Sequence, residues 1–194
     1  MGENRIKLVA ADMDGTLLNR ERKITKYTQD VIKKAMAQGV YFVPATGRAV
    51  NALPPELKEM EGIRYGIFSN GATIYDLKEE KVIYKNHFEM DRVLELMDFL
   101  KQFDLMESIS LNGQSYANKK EMQNIDYYEL DSNTKAIVQG SRVLVDDLEM
   151  FVKEQSTTVE KTTLLFKTME ERQRAADALS KIEDSVFKFS SKES

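Results

Sequence analysis

Two aspartates two residues apart, Asp12 and Asp14, close the apolar run Leu8-Val9-Ala10-Ala11 and open into a turn at Gly15. On an extended strand the side chains at i and i+2 leave the same face. A run that stays extended through Asp14 therefore sends both carboxylates into one space. Charges that close demand a cation between them or a shared proton. The pair suits two complementary tasks. Asp12 can serve as a carboxylate nucleophile that forms an aspartyl-phosphate. Asp14 can serve as the general acid and base that protonates the leaving oxygen and then activates water. Further along, Thr46 offers a hydroxyl and Arg48 a guanidinium fork to a phosphoryl group. The backbone N–H groups around Met13–Asp14 and Gly47 have the makings of an anion nest, for which glycine is the easiest residue. Mg²⁺ is the natural partner, since it takes hard oxygen ligands, usually one or two carboxylates with water and phosphate.

Strands must position these groups. Ile6 to Ala11 is the kind of apolar run that a parallel sheet buries on both faces. A helix is expected from about Thr25 to Gln38, with Tyr27, Val31, Ile32, Ala35 and Met36 on its inward face and Gly39 just beyond its end. Val40 to Ala45 reads as a second strand, closed by Thr46-Gly47-Arg48. The helical stretch at about Ala49–Met60 must start near Pro54-Pro55. Tyr65 to Ser69 reads as a third strand ending in Asn70-Gly71. Strand–helix–strand–helix–strand, with a polar turn after each strand, is the pattern of a doubly wound α/β sheet. Ligands bind outside the carboxyl ends of such strands, so Asp12/Asp14, Thr46/Gly47/Arg48 and Ser69/Asn70/Gly71 are expected to converge.

Beyond residue 71 the texture changes. Thr73–Asp76 and Lys81–Asn86 suggest a hairpin around the polar turn Leu77–Glu80. Asp91 to Phe103 is an amphipathic helix with Asp91 as its expected N-cap. Ser108–Leu111 and Gln114–Ala117 read as strands joined across Asn112-Gly113, while 119–140 carries no clear pattern. Helix is expected at Asp146–Gln155 and Met169–Ile182, strand at Val159–Phe166 and Ser185–Ser190. The reading is a core over residues 1–74 and an α+β second domain over 75–194.

Composition narrows the function classes. The 194 residues are 42% apolar and 31% charged, with a net charge of −4 and no cysteine. Disulfides and thiolate metal sites are excluded. No basic stripe is present to neutralise a run of phosphates, so no nucleic-acid partner is expected. No apolar run reaches membrane-spanning length and no signal-peptide apolar region follows Met1, so no membrane partner and a cytoplasmic location are expected.

Each motif has an ordinary reading when taken alone. Asp-x-Asp-Gly is a common turn. An EF-hand loop starting at Asp12 fails, because its twelfth position needs a Glu and holds Lys23. Asn70-Gly71 alone is a turn, and His87 reads as structural. Met36, Met97 and Met106 read as core filler. Three such signals at three consecutive strand ends reinforce one another.

The combination resembles the haloacid dehalogenase-like superfamily. Asp12-Met13-Asp14-Gly15-Thr16-Leu17-Leu18 resembles its motif I, and Ala45-Thr46-Gly47-Arg48 its motif II as found in Cof-type phosphatases. Phe68 to Asp76 is similar to the segment by which that subfamily enters its large α/β cap, and Lys161–Ser191 to the end of that cap. The resemblance implies a partial Rossmannoid parallel-sheet core with an α+β cap. It implies a Mg²⁺-dependent phosphomonoesterase acting on small phosphorylated metabolites, often sugar phosphates. Asp12 would be the nucleophile and Asp14 the acid and base, with Mg²⁺ held by the Asp12 carboxylate and the Asp14 backbone carbonyl. Thr46, Gly47, Arg48 and Asn70 would bind or position the substrate phosphate. Tyr116, Tyr127 and Tyr128 are candidates to line the cap.

The family also carries a motif III lysine and a motif IV Gly-Asp-x-x-Asn-Asp stretch. Nothing in residues 120–194 resembles motif IV; Asp146-Asp147 lacks the preceding glycine and apolar strand. The expectation is a phosphatase fragment lacking the return to the core, with a non-catalytic phosphate-ligand or partner-binding module as the alternative. The strand at Leu8–Ala11 would then be an open edge through which chains self-associate.

Overall fold

The three motifs sit on three neighbouring parallel strands. β1 (Leu8–Asp12), β2 (Tyr41–Ala45) and β3 (Tyr65–Phe68) are connected through α1 (Lys26–Ala37) and the short α2 (Pro55–Lys58). The structure is a computed structural model and describes residues 5–19 and 21–182. The β1–β2 register runs from Leu8 opposite Tyr41 to Asp12 opposite Ala45. Ala45 in turn lies opposite Ile67 of β3. The carboxyl ends of the three strands are therefore level.

Local sequence explains most of these elements. Thr25 caps α1, its hydroxyl accepting from the Thr28 N–H at 3.2 Å, and Gly39 takes the left-handed conformation past its end at φ +83°. Pro55 begins α2, where its missing N–H costs nothing. Gly66 is small for a packing reason: a Cβ there would lie 2.4 Å from the ring of Phe68, two residues on and on the same face. That ring is fully buried, and burial of this kind is worth roughly 1.5–3 kcal/mol.

The open edge expected at Leu8–Ala11 is present among the described residues, whereas burial of that run on both faces and the full inward face of α1 are not. β1 has a partner on one side only among the described residues, in the order β1-β2-β3-β4-β5. Consequently Leu8 (55% exposed) and Val9 (38%) are not buried on both faces as a central strand would be. On α1, Ile32 is buried and Met36 packs on the core, but Tyr27 and Val31 are exposed rather than inward.

β4 (Thr73–Asp76) and β5 (Lys81–Lys85) form the hairpin and extend the same sheet antiparallel to β3. The hairpin therefore pairs with the core strands rather than with the elements after it, and the chain divides into units between His87 and Phe88. Its turn is held by buried Asp76, which accepts from the Lys78 and Glu79 N–H groups at 3.0 Å each and from the Arg64 guanidinium at 3.0 Å. Burial pushes the Asp76 carboxyl up, and these donors outweigh it to leave the group below its ordinary range. His87 is structural, its Nε2 2.8 Å from the Thr73 hydroxyl.

The second unit begins with α3 (Met90–Leu100), whose N-cap is Glu89 rather than Asp91. Its sheet has the order β8-β7-β6-β9, with β6 (Leu105–Leu111), β7 (Gln114–Asn118), β8 (Arg142–Val145) and β9 (Val159–Phe166). α4 (Lys119–Gln123), α5 (Ser132–Ser141), α6 (Leu148–Lys153) and α7 (Met169–Leu179) complete it. Ile109, Leu111 and Val159 pack on Val93 and Met97 of α3 and Leu148 and Val152 of α6. On the other face, Met106 and Ala117 pack with Met122, Ile125, Tyr128 and Val138. The strand expected at Ser185–Ser190 lies outside the described residues. No helix among the described residues is long and apolar enough to cross a membrane.

One buried group opposes this packing. The Glu107 carboxyl on β6 is buried, and its Oε1 has no hydrogen-bond partner among the described residues. Burial, with the charges of Glu121 and Glu149 adding to it, pushes Glu107 up to about 7. A carboxyl raised on folding binds its proton more tightly in the folded state. Stability therefore falls as pH rises from the ordinary carboxylate range to about 7 and levels off above it. Urea titrations at pH 5 and pH 8 should differ by roughly 2–3 kcal/mol for the second unit. Glu107→Gln should remove most of that difference; an unchanged difference in the variant contradicts the assignment.

Candidate functional site

The site is built from the three level strand ends. At the end of β1 the chain turns through Met13, Asp14 and Gly15. Asp12 and Asp14 are exposed while Met13 between them is fully buried. The alternation expected of a strand thus persists through the turn and presents both carboxylates outward. Backbone bonds fix the turn: Leu17 N–H donates to the Asp12 carbonyl at 3.2 Å and Leu18 N–H to the Met13 carbonyl at 2.9 Å. Gly15 supplies the positive φ of +80° that the turn needs.

After β2, buried Thr46 organises the second loop. Its N–H donates to the Ile67 carbonyl at 2.9 Å, and its hydroxyl accepts from the Arg48 N–H at 3.2 Å. The side chain of Arg48 crosses to the first loop. Nε lies 3.0 Å from Asp14 Oδ2 and Nη2 lies 2.6 Å from Oδ1, a two-pronged ion pair between residues 34 apart in sequence. Nη1 donates to the Ala52 carbonyl at 3.3 Å. The pair occupies both oxygens of Asp14.

The third loop is the most strained. Ser69, Asn70 and Gly71 all have positive φ, at +51°, +59° and +93°. Two successive residues with side chains in this region are uncommon. The turn is secured by the second loop: Ser69 N–H donates to the Arg48 carbonyl at 2.9 Å and Asn70 N–H to the Thr46 carbonyl at 3.2 Å. The Asn70 carboxamide lies against Gly47, where a Cβ would meet its Oδ1 at 2.5 Å. Asp12, Asp14, Thr46, Gly47, Arg48 and Asn70 are thus placed on adjoining loops at one edge of one sheet. The Arg48–Asp14 pair was not anticipated from sequence, where both side chains were read only as facing a ligand.

The Asp12 carboxylate is exposed, and the resemblance adds the Asp14 backbone carbonyl as the second ligand expected for a cation. Among the described residues no group of three or more acidic or histidine side chains is placed to hold a metal. The donor set suits an ion that keeps several waters, as Mg²⁺ does. Asp147 is no part of such a set: it caps α6, its Oδ1 accepting from the Met150 N–H at 2.8 Å. The tyrosines of the second unit also have structural partners. Tyr128 is buried in the core, Tyr116 stacks on Phe151 at 4.5 Å, and Tyr127 bonds Asp104.

Residues 9–194 match the sequence profile of the haloacid dehalogenase-like hydrolases, and the chain belongs to that family. A Buchnera aphidicola (subsp. Schizaphis graminum) protein provisionally designated a phosphatase is 38% identical over 121 residues, covering 61% of this chain and 43% of that protein. The 5-amino-6-(5-phospho-D-ribitylamino)uracil phosphatase YcsE of Bacillus subtilis is 37% identical over 89 residues, covering 44% of this chain and 36% of that enzyme. The chain thus spans less than half the length of these relatives. Among solved structures, a haloacid dehalogenase-like hydrolase from B. subtilis superposes with a TM-score of 0.74 at 20% identity, over 92% of this chain and 68% of that one. That likeness establishes the α/β fold.

The contact between Gly47 and Asn70 yields a direct test. Gly47→Ala should displace the Asn70 carboxamide, the movable partner, and cost under about 1 kcal/mol of stability. A crystal structure of the variant with Asn70 in place, or a much larger loss on urea unfolding, contradicts this account of the loop.

Proposed function

We propose that the chain carries the phosphate-handling half of a Mg²⁺-dependent phosphomonoester hydrolase for small phosphorylated metabolites, sugar phosphates among them. The observation that supports this most is the lacing of the three loops, which brings Asp12, Asp14, Thr46, Gly47, Arg48 and Asn70 to one edge of the sheet. The phosphoribityl substrate named for the B. subtilis relative is a phosphomonoester of this kind.

In this reading Asp12 attacks phosphorus, an O–P bond forms on its carboxylate, and the bond to the leaving oxygen breaks as Asp14 donates a proton to that oxygen. Asp14 then takes a proton from water, which attacks the aspartyl-phosphate, regenerates Asp12 and releases phosphate. Thr46, Gly47 and Asn70 supply donors to the equatorial oxygens, where charge spreads in the transition state. Arg48 holds both oxygens of Asp14. An arriving phosphoryl group competes for that guanidinium, and its transfer from Asp14 to substrate leaves the carboxylate able to exchange protons. The Asp12 carboxylate and the Asp14 carbonyl would hold Mg²⁺, which would supply charge neutralisation to the phosphoryl group. The second unit takes the role of a cap that selects the substrate.

A second reading, phosphate binding without turnover, is favoured by one observation: among the described residues no group of three or more acidic or histidine side chains is placed to hold a metal. Hydrolysis of p-nitrophenyl phosphate with and without Mg²⁺ separates the two. The hydrolase reading predicts Mg²⁺-stimulated turnover that falls at least about 100-fold in Asp12→Asn. Equal rates for the chain and the variant overturn it.

A further inference from the structure

The sheet of the second unit carries a second cluster of chemistry-bearing side chains that the proposed reaction does not use. Strand register sets four polar residues in one row across it. Lys161 of β9 lies opposite Ser110 of β6, Ser110 opposite Ser115 of β7, and Ser115 opposite Arg142 of β8. Residues directly opposed on neighbouring strands share a face. The row therefore has a cation at each end and two hydroxyls between, and Ser108 and Thr163 stand beside it, opposite one another. The apolar end of this same face, Met106, Ala117 and Leu165, packs with Met122, Ile125, Tyr128 and Val138. The polar row is not part of that cluster.

Arg142 leans inward along the row. Its Nε reaches across β7 to the Ser108 hydroxyl of β6 at 3.4 Å, and its Nη1 donates to the Ser141 hydroxyl at 2.8 Å and the Ile137 carbonyl at 3.5 Å. Every one of these acceptors is uncharged. A half-buried guanidinium with only neutral acceptors among the described residues is an incompletely compensated charge. Between the cations, the Ser110 and Ser115 hydroxyls lie 2.8 Å apart, each with donor and acceptor capacity. Such a row is what an oxyanion requires: a fork, an ammonium and hydroxyl donors converging from one side.

We propose that Lys161, Ser110, Ser115 and Arg142 form an anion-binding site within the second unit for the phosphoryl group of a small molecule. Two cations match a group of nearly two negative charges and three acceptor oxygens better than a singly charged, two-oxygen carboxylate. The electrostatics agree with the geometry. Burial pulls Arg142 down to about 10, and burial with the nearby Arg142 charge pulls Lys161 down to about 8, which Glu160 opposes. An anion seated between the two relieves both.

The test is a titration of the whole chain with inorganic phosphate, without Mg²⁺, read by amide and Arg Nε chemical shifts in ¹H–¹⁵N spectra. The proposal predicts saturating shifts at Ser110, Ser115, Arg142 and Lys161. Arg142→Gln, which keeps a donor for Ser141, and Lys161→Met should each weaken that saturation at least tenfold with the fold retained. Asp12→Asn should leave it unchanged. Shifts confined to Thr46, Gly47 and Asn70, the same response in wild type and Arg142→Gln, or acetate saturating the row as tightly as phosphate would each overturn the proposal. Because the readout is assigned residue by residue, failure here is distinct from failure of the hydrolase reading.

Discussion

The candidate site depends on a left-handed turn that the chain does not adopt willingly. Ser69 and Asn70 both carry side chains at positive φ, a conformation costing on the order of 1–3 kcal/mol at each such residue. The compensation is specific. Two N–H groups of the turn donate to the carbonyls of Thr46 and Arg48, and Gly47 leaves room for the Asn70 carboxamide. Each loop is thereby shaped by its neighbour. Arg48, whose backbone receives the turn, sends its side chain to Asp14 and ties in the remaining loop. Strain at one strand end is thus converted into a fixed placement of groups at all three.

The Arg48–Asp14 pair has a consequence for mechanism. A carboxylate held at both oxygens cannot act on a leaving group, and a guanidinium so engaged cannot fully grip a phosphate. In the proposed reaction both constraints would lift together on arrival of a dianion. An exposed pair of this kind is worth little to stability, so its cost to displace is small beside the gain of binding a phosphoryl group. In the proposed reaction this pairing would keep two opposite charges satisfied until a phosphoryl group offered a better partner for one of them.

Much of the site was legible in the sequence because it is local. Strand period puts Asp12 and Asp14 on one face, and Thr46-Gly47-Arg48 and Asn70-Gly71 are turn chemistries that punctuate apolar runs. Parallel topology then levels the strand ends. What was not legible depends on tertiary neighbours. Apolar composition alone suits Ile6–Ala11 to burial on both faces; the open edge that β1 forms among the described residues follows instead from the absence of a motif IV stretch. Tyr27 and Val31 are apolar enough for a core, yet the narrow face of α1 in contact with the sheet admits Ile32 and Met36 instead. In the second unit, β8 is four residues long, and α5 has a weak apolar face with a glycine at position 140, so neither stood out. The row from Lys161 to Arg142 was invisible for the same reason, since it exists only once β8 is paired.

The central claim is that Asp12 is a nucleophile and not merely a ligand. Incubating the chain with Mg²⁺ and a ³²P-labelled acyl phosphate, followed by acid quench and peptide mapping, tests it most directly. The account predicts an acid-stable, hydroxylamine-labile label on the peptide containing Asp12, absent from Asp12→Asn. Hydrolysis without any such label, or a label mapping to another residue, would contradict it.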